Sequence, residues 1–296
     1  MARPTPNIDL DWQSKCVLLV VMPYTTISVI FQARYWALHA PSVVVWTLGL
    51  SLVLGAAAWK SHSASSDGAV TGAAIAASLM FSTLVFPYHP WQTGLIPMVA
   101  VLLLTSAATR FGRQKKERLG TAEKRAGRGS AQVAANLGMA ALLLELHIRG
   151  WMIDGSWHLR GPMALAVGLA ALAEAAADTI SSEIGQVLGG QPRMITTFRK
   201  TEAGVDGAIS IAGTVAGVMA AGVVAAAGTW ALRGDVRVFG LSWAGGVFGL
   251  IFDSVLGATL ERQGWLNNDA VNFLSTGSAA VFVLAALAVL PHFGIG

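Results

Sequence analysis

Charge is scarce in this chain. Asp, Glu, Lys and Arg supply 12% of its 296 residues, against roughly 25% in an ordinary soluble domain. Cys16 is the single cysteine, which excludes an intramolecular disulfide and any cysteine-based metal cluster. The six histidines, at positions 39, 62, 89, 147, 158 and 292, have no metal-ligand spacing. Long polar stretches are missing too, so no separate soluble domain is expected.

What fills the chain instead is apolar: 54% of the residues, with a mean hydropathy of +0.59. A transmembrane helix needs about 20 predominantly apolar residues. Nine candidate spans satisfy that reading, over 17–37, 42–59, 69–87, 91–109, 131–148, 162–180, 207–229, 237–257 and 271–290. The fold class expected is all-α, a polytopic transmembrane helical bundle. It comprises a cytoplasmic segment 1–16, one transmembrane domain 17–290 and a short tail 291–296. The first apolar block lacks a small-residue cleavage site and is longer than a signal-peptide core, so it is expected to be retained. Trp12, Trp36, Trp59, Trp91, Trp151 and Trp230 sit near span ends, as interfacial aromatic belts do.

Basic residues set an orientation. With the N-terminus inside, fifteen of the Lys and Arg residues fall on the cytoplasmic side and five on the other: Arg34, Arg149, Arg160, Arg233 and Arg237. That is a positive-inside bias, and it accounts for the basic balance without a nucleic-acid partner. The polar loops 110–130, 181–206 and 258–270 then all face the cytoplasm, which suits a bacterial inner-membrane protein with its site on that side.

Acid inside a bilayer costs a few kcal/mol per group and needs a reason. In "AEAAADTISSEIGQVLGG" (173–190), Glu174, Asp178 and Ser182 share one helix face, with Glu183 part of a turn away. Glu174, like Glu145, is adequately explained as a structural partner of neighbouring groups. Asp178, Glu183 and Asp253 lie at the cytoplasmic ends of two spans beside loops rich in Arg and Lys. Hard oxygen ligands of this kind hold Mg²⁺, while guanidinium and ammonium groups hold phosphate.

Other polar features qualify this picture. Gly213 with Gly217, and Gly245 with Gly249, have the G-x-x-x-G spacing that close helix packing explains. Gln132 and Asn136 lie on one face of span five, and Asn267, Asn268 and Asn272 crowd a span entrance where capping needs only one of them. Such amides bond other helices, or read a base or a lipid head group. The segments 60–78 and 200–217 each run from Lys to Asp-Gly-Ala and into a small-residue span, a candidate parallel four-helix internal repeat.

Several separated motifs together resemble a known family. "LLLTSAATRFGRQKK", "AQVAANLG", "ADTISSEIGQVLGGQPRMITTFRK", "EAGVDGAISIAGTVAG" and "FDSVLGATLERQ" followed by "NNDAVNFLSTGSAA" look like the phytyl-phosphate kinase family, over about residues 60–290. These are integral-membrane proteins first catalogued as a domain of unknown function, and more distantly similar to CTP-using prenol kinases and CDP-lipid synthases. The family's Asp and Ser-Glu-Ile-Gly match Asp178 and Ser182–Gly185. Its Pro-Arg-x-Ile-Thr-Thr matches Pro192–Thr197, and its Asp-Ser-x-Leu-Gly-Ala matches Asp253–Ala258. The "GVDGA" at 204–208 departs from the Thr or Ser before Gly-Gly that relatives carry.

The resemblance implies phosphoryl transfer from a nucleoside triphosphate, CTP or ATP, to an isoprenoid monophosphate within the bilayer, giving the diphosphate. A phosphate monoester has a second pKa near 6, so the acceptor is already an anion and needs no general base. Metal and cationic clamps supply the missing charge screening. On this reading Asp178, Glu183 and Asp253 hold Mg²⁺, and Arg193, Arg199 and Lys200 hold the reacting phosphates. Arg110, Arg113, Asn136, Thr196, Thr197, Gly204, Asn267 and Asn268 are the candidates for binding nucleotide. An apolar cleft for the isoprenoid chain is expected on the Ala- and Gly-rich faces of spans six and seven. The alternatives are nucleotidyl transfer from CTP to a lipid phosphate, and a transporter or flippase, which would place its polar groups near the midplane.

Overall fold

The computed structural model describes residues 11–123, 125–145 and 161–289. Arg3, Lys124, Arg149 and Arg160, on which part of the charge asymmetry rests, lie outside the described residues, as do His147, Trp151, His158, His292 and the tail 291–296. Ten α-helices are labelled here in chain order: α1 (Asp11–His39), α2 (Pro41–Lys60), α3 (Ser66–Ser82), α4 (Leu95–Arg110), α5 (Arg113–Leu119), α6 (Ser130–Leu144), α7 (Gly161–Leu188), α8 (Ile211–Ala231), α9 (Val236–Leu256) and α10 (Asn268–Val289). A two-residue antiparallel pair, β1 (Arg193–Met194) and β2 (Ala208–Ile209), closes the loop between α7 and α8.

Every expected span coincides with a helix, but the described residues do not supply nine crossings. Among the described residues six helices are long and apolar enough to cross a membrane, namely α1, α2, α7, α8, α9 with its extension to Glu261, and α10; α4 and α5, bent by 65°, make a seventh if they count as one. Helix α3 has 17 residues and α6 has 15, both short of the ~20 a full crossing needs. For α3 the reason is local. Helix α3 ends at Ser82, where the Thr83 hydroxyl donates to the Leu79 carbonyl, and the prolines at 87 and 90 prevent any continuation.

Burial sorts the bundle. Within its apolar stretch α7 is 78% buried, against 17% for α1. Alanine and glycine around α7 let neighbours approach it from every side, with Ala166, Ala170, Ala173 and Ala177 all inaccessible. Helices α1 and α2 instead present Leu19, Phe31, Val45 and Leu52 outward, the apolar exterior a bilayer tolerates. Trp12 and Trp59 are exposed at one end of the bundle, Trp91 and Trp230 at the other.

Successive helices alternate in direction, so their charged ends gather. Helices α1, α3, α6, α8 and α10 begin, and α2, α4, α7 and α9 finish, at the same end. Ties across that end are polar: Gln13 donates to the Trp265 carbonyl (2.8 Å), Lys115 to the Val187 carbonyl (2.7 Å), and Arg110 to the Ser61 carbonyl (2.6 Å). The opposite end is held more sparsely, by Thr47 with Tyr88 (3.0 Å) and Arg233 with Gln92 (2.6 Å).

The glycine spacings do what packing requires. Gly213 and Gly217 bring α8 onto the Ser181 and Ala177 carbonyls of α7, and Gly245 brings α9 onto Ala170 and α10. The proposed repeat has no matching geometry, because Asp67-Gly68 lie inside α3 whereas Asp206-Gly207 form a turn ahead of β2.

Candidate functional site

At the charged end a cavity of about 340 Å³ opens between α6, α7, the end of α9, the start of α10 and the loops at 121–128 and 203–208. Its walls carry the carboxylates Asp178, Asp206, Asp253 and Glu261, the guanidinium of Arg128, and the amides of Gln132, Asn136, Gln186, Asn268 and Asn272.

Asp178 is one turn beyond Glu174 on α7, and Asp253 lies in the last turn of α9. Their carboxyls interact directly, with Glu174 beneath them and Ser275 of α10 alongside. Gly249 makes this possible, since a Cβ there would collide with the Glu174 side chain. Asp253 Oδ2 and Glu174 Oε1 are buried without a hydrogen-bond partner. A buried carboxylate oxygen left unpaired costs about 1–3 kcal/mol or more, so the acidic pair is incomplete as the protein alone builds it.

Helix α9 does not stop at Leu256. It widens into a single π-helical turn, Gly257–Glu261, against which the Gly207 backbone packs. Such turns re-aim side chains and recur at functional sites. Here the turn brings Glu261 toward Asp206 and Asp178, and Arg262 stands beside Asp206.

Arg128 reaches the cavity because its backbone is clamped. It pairs with Ala64 in a parallel bridge, with Arg128 N donating to the Ser63 carbonyl (3.2 Å) and Ser65 N to the Arg128 carbonyl (3.0 Å). Gly127, at φ +82, permits this approach, since a Cβ would stand 2.6 Å from the Ala64 amide nitrogen. The junction is fixed by Asp67, which takes a hydrogen bond from the Ser65 hydroxyl (2.6 Å) and another from the Ser130 amide (3.0 Å). These bonds to its charged form hold the Asp67 carboxyl down to about 2.

Of the residues expected from sequence, Asp178, Glu183, Asp253, Asn136, Gly204 and Asn268 line this cavity. Glu183 is also engaged elsewhere. Its Oε2 accepts from Lys116, a fully buried ammonium that also donates to the Ala108 (3.0 Å) and Thr109 (2.7 Å) carbonyls at the end of α4. Asn267 caps α10 through the Ala270 amide (2.9 Å) and ties it to Ser14 of α1 (3.0 Å). Arg193, Thr196, Thr197, Arg199 and Lys200 are exposed on the β1 hairpin and none of them lines the cavity. The Arg193 guanidinium donates instead to the Phe198 carbonyl (2.8 Å). Arg110 and Arg113 line a second, basic cavity of about 420 Å³ with Arg125 and His62, which shares Arg128 and Glu123 with the first.

Arg128, Lys116 and Glu261 are the residues that sequence reasoning did not single out. The Gly-Arg-Gly run at 127–129 was the available sign for Arg128, because glycines flanking one arginine in a basic loop mark a constrained backbone.

Long helices with apolar exteriors, and charged groups gathered mainly at one end around a cavity, define a polytopic helical membrane protein. The chain belongs to the family described as integral membrane protein DUF92, which matches residues 49–280 and so includes every wall of the cavity. It is 35% identical over 217 residues to an uncharacterized membrane protein of Methanocaldococcus jannaschii, covering 73% of this chain and 83% of that one. It is 32% identical over 215 residues to an uncharacterized membrane protein of Synechocystis, covering 67% and 73%. With the chloroplastic protein VTE6 of Arabidopsis thaliana it shares 27% identity over 220 residues, covering 73% and 64%. No solved structure matches the chain.

Proposed function

We propose that this protein is a membrane phosphotransferase that moves a phosphoryl group from a nucleoside triphosphate to an isoprenoid monophosphate. The observation that carries the reading is the unpaired, buried Oδ2 of Asp253, set against Asp178 in a cavity that also contains Arg128. The motifs resembling those of the phytyl-phosphate kinase family support the choice of substrate class.

Among the described residues, no three His, Cys, Asp or Glu side chains converge as a ready-made metal site. Mg²⁺ does not need one, since it is commonly held by one or two carboxylates together with waters and substrate phosphates. Asp178 and Asp253 fit that role, and a cation would satisfy the unpaired oxygen of Asp253. Bound there, Mg²⁺ would neutralise charge on the transferring phosphoryl group. Arg128 orients a phosphate by its guanidinium fork, and the amides of Asn136, Asn268 and Asn272 position oxygens without adding charge. Glu183 takes a structural role with Lys116, and Arg128 takes the phosphate-holding role expected of Arg193, Arg199 and Lys200.

Purified protein incubated with Mg²⁺, a prenyl monophosphate and either γ- or α-³²P-labelled nucleotide tests the reaction. Label is expected in lipid from the γ position. Label from the α position would make the protein a nucleotidyl transferase, and none from either would leave transport as the reading.

The charged end faces the cytoplasm on this proposal, where nucleotide is available; the positive-inside bias of the sequence supports that orientation. With Cys16 replaced, Gln114→Cys and Thr197→Cys, both at exposed positions, should react with an impermeant maleimide only after cells are opened. Labelling of either in intact cells reverses the orientation.

A further inference from the structure

A third space adjoins the acidic cavity, and it is apolar. About 90 Å³ in volume, it lies between Leu54 and Ala58 of α2, Ala69 and Gly72 of α3, Met98 and Val101 of α4, and Val133 of α6. Arg128, Asn136 and Thr179 are the residues that it shares with the acidic cavity. A phosphate held at Arg128 would have carboxylates on one side and this slot on the other.

That juxtaposition has the chemistry of an amphiphile: an anionic head joined to a hydrocarbon chain. We infer that the slot receives the phosphate-proximal part of the isoprenoid chain of the acceptor, and that Arg128 marks the junction between head and chain. The inference rests on the reading of the acidic cavity as a phosphoryl-transfer site. The faces of α7 and α8, expected from sequence to supply the cleft, are closed by the contacts of Gly213 and Gly217. The slot forms instead across α2, α3, α4 and α6.

Its glycines are not equivalent. A Cβ at Gly55 would stand 2.8 Å from the Ala69 carbonyl oxygen, so Gly55 serves the contact of α2 with α3. A Cβ at Gly72 would meet only Val133 Cγ1, at 3.7 Å. Packing therefore does not require glycine there, although glycine inside a helix costs about 1 kcal/mol relative to alanine. What it leaves is room for a chain, which a side chain at position 72 would fill.

Gly72→Leu is the test, assayed with geranylgeranyl monophosphate and with methyl phosphate, which carries the same head and no chain. Wild type should favour the prenyl acceptor strongly in kcat/KM. The ratio of the two should fall by about 30-fold or more in Gly72→Leu, the equivalent of a few lost methylene contacts, and by less in Gly72→Ala. A ratio unchanged in both variants, with wild type active, overturns the slot and leaves the reaction standing. Transfer to neither acceptor by wild type overturns the reaction itself. A prenyl monophosphate bearing a diazirine on its first isoprene unit gives an answer independent of turnover. Cross-links are expected in peptides from α2, α3 or α4, and cross-links confined to α8 overturn the assignment.

Discussion

Asp178→Asn and Asp253→Asn should each lower turnover by about a thousandfold or more, the scale of about 4 kcal/mol lost from transition-state stabilisation. The amide keeps the shape of the carboxyl and removes the charge that a divalent cation needs. Folding should survive, because each change removes one member of a pair of like charges in direct contact. Extracted yield and apparent melting temperature in detergent are therefore expected near wild type, with part of the activity restored by raised Mg²⁺. Glu174→Gln should cost far less, since Glu174 lies below the cavity rather than in its wall. Arg199→Gln and Lys200→Gln, on the exposed hairpin, serve as charge-removal controls and should stay within a few-fold of wild type. Two folded, fully active Asn variants would sink the metal assignment.

Lys116→Met should have the largest effect on stability. It strands the Glu183 carboxylate, with the residue 8% exposed, and frees the last carbonyls of α4. Removing one partner of a buried ion pair typically costs about 3–5 kcal/mol. Glu183→Gln should destabilise on a similar scale by leaving an unpaired ammonium. The double variant Lys116→Met with Glu183→Leu should recover much of the loss, because an apolar pair of similar volume is often neutral or better. Thermal scans in detergent on the three proteins decide the matter. If Glu183→Gln melts like wild type but is inactive, Glu183 belongs with the metal ligands after all, as its place in the sequence suggested.

Basic residues show why a sequence ranks candidates poorly. Arg193, Arg199 and Lys200 follow a motif shared with a kinase family and stand close to Asp178 along the chain, yet the β1 hairpin turns them outward. Arg128 is 50 positions from Asp178 by number, inside a run of positive charge that orientation alone explains. A bridge to Ala64 delivers it to the cavity, and strand pairing of that kind leaves no periodic trace in a loop.

The membrane class, the positions of all the helices that fill the nine apolar stretches, and the collection of polar groups at one end were decided by sequence. Hydropathy over some 20 residues is a local property, and consecutive helices that each run from one end of the bundle to the other must alternate in direction. Three matters waited for the tertiary structure. Helix α3 falls short of a full crossing, because Thr83 and the prolines at 87 and 90 end it. Glu183 pairs with Lys116, 67 residues away, while Asp178 pairs with Asp253. The acidic cavity, the basic cavity and the apolar slot meet at Arg128. Such choices depend on which side chains share a desolvated space, and desolvation is set by packing between helices remote in sequence, not by the pattern within any one of them.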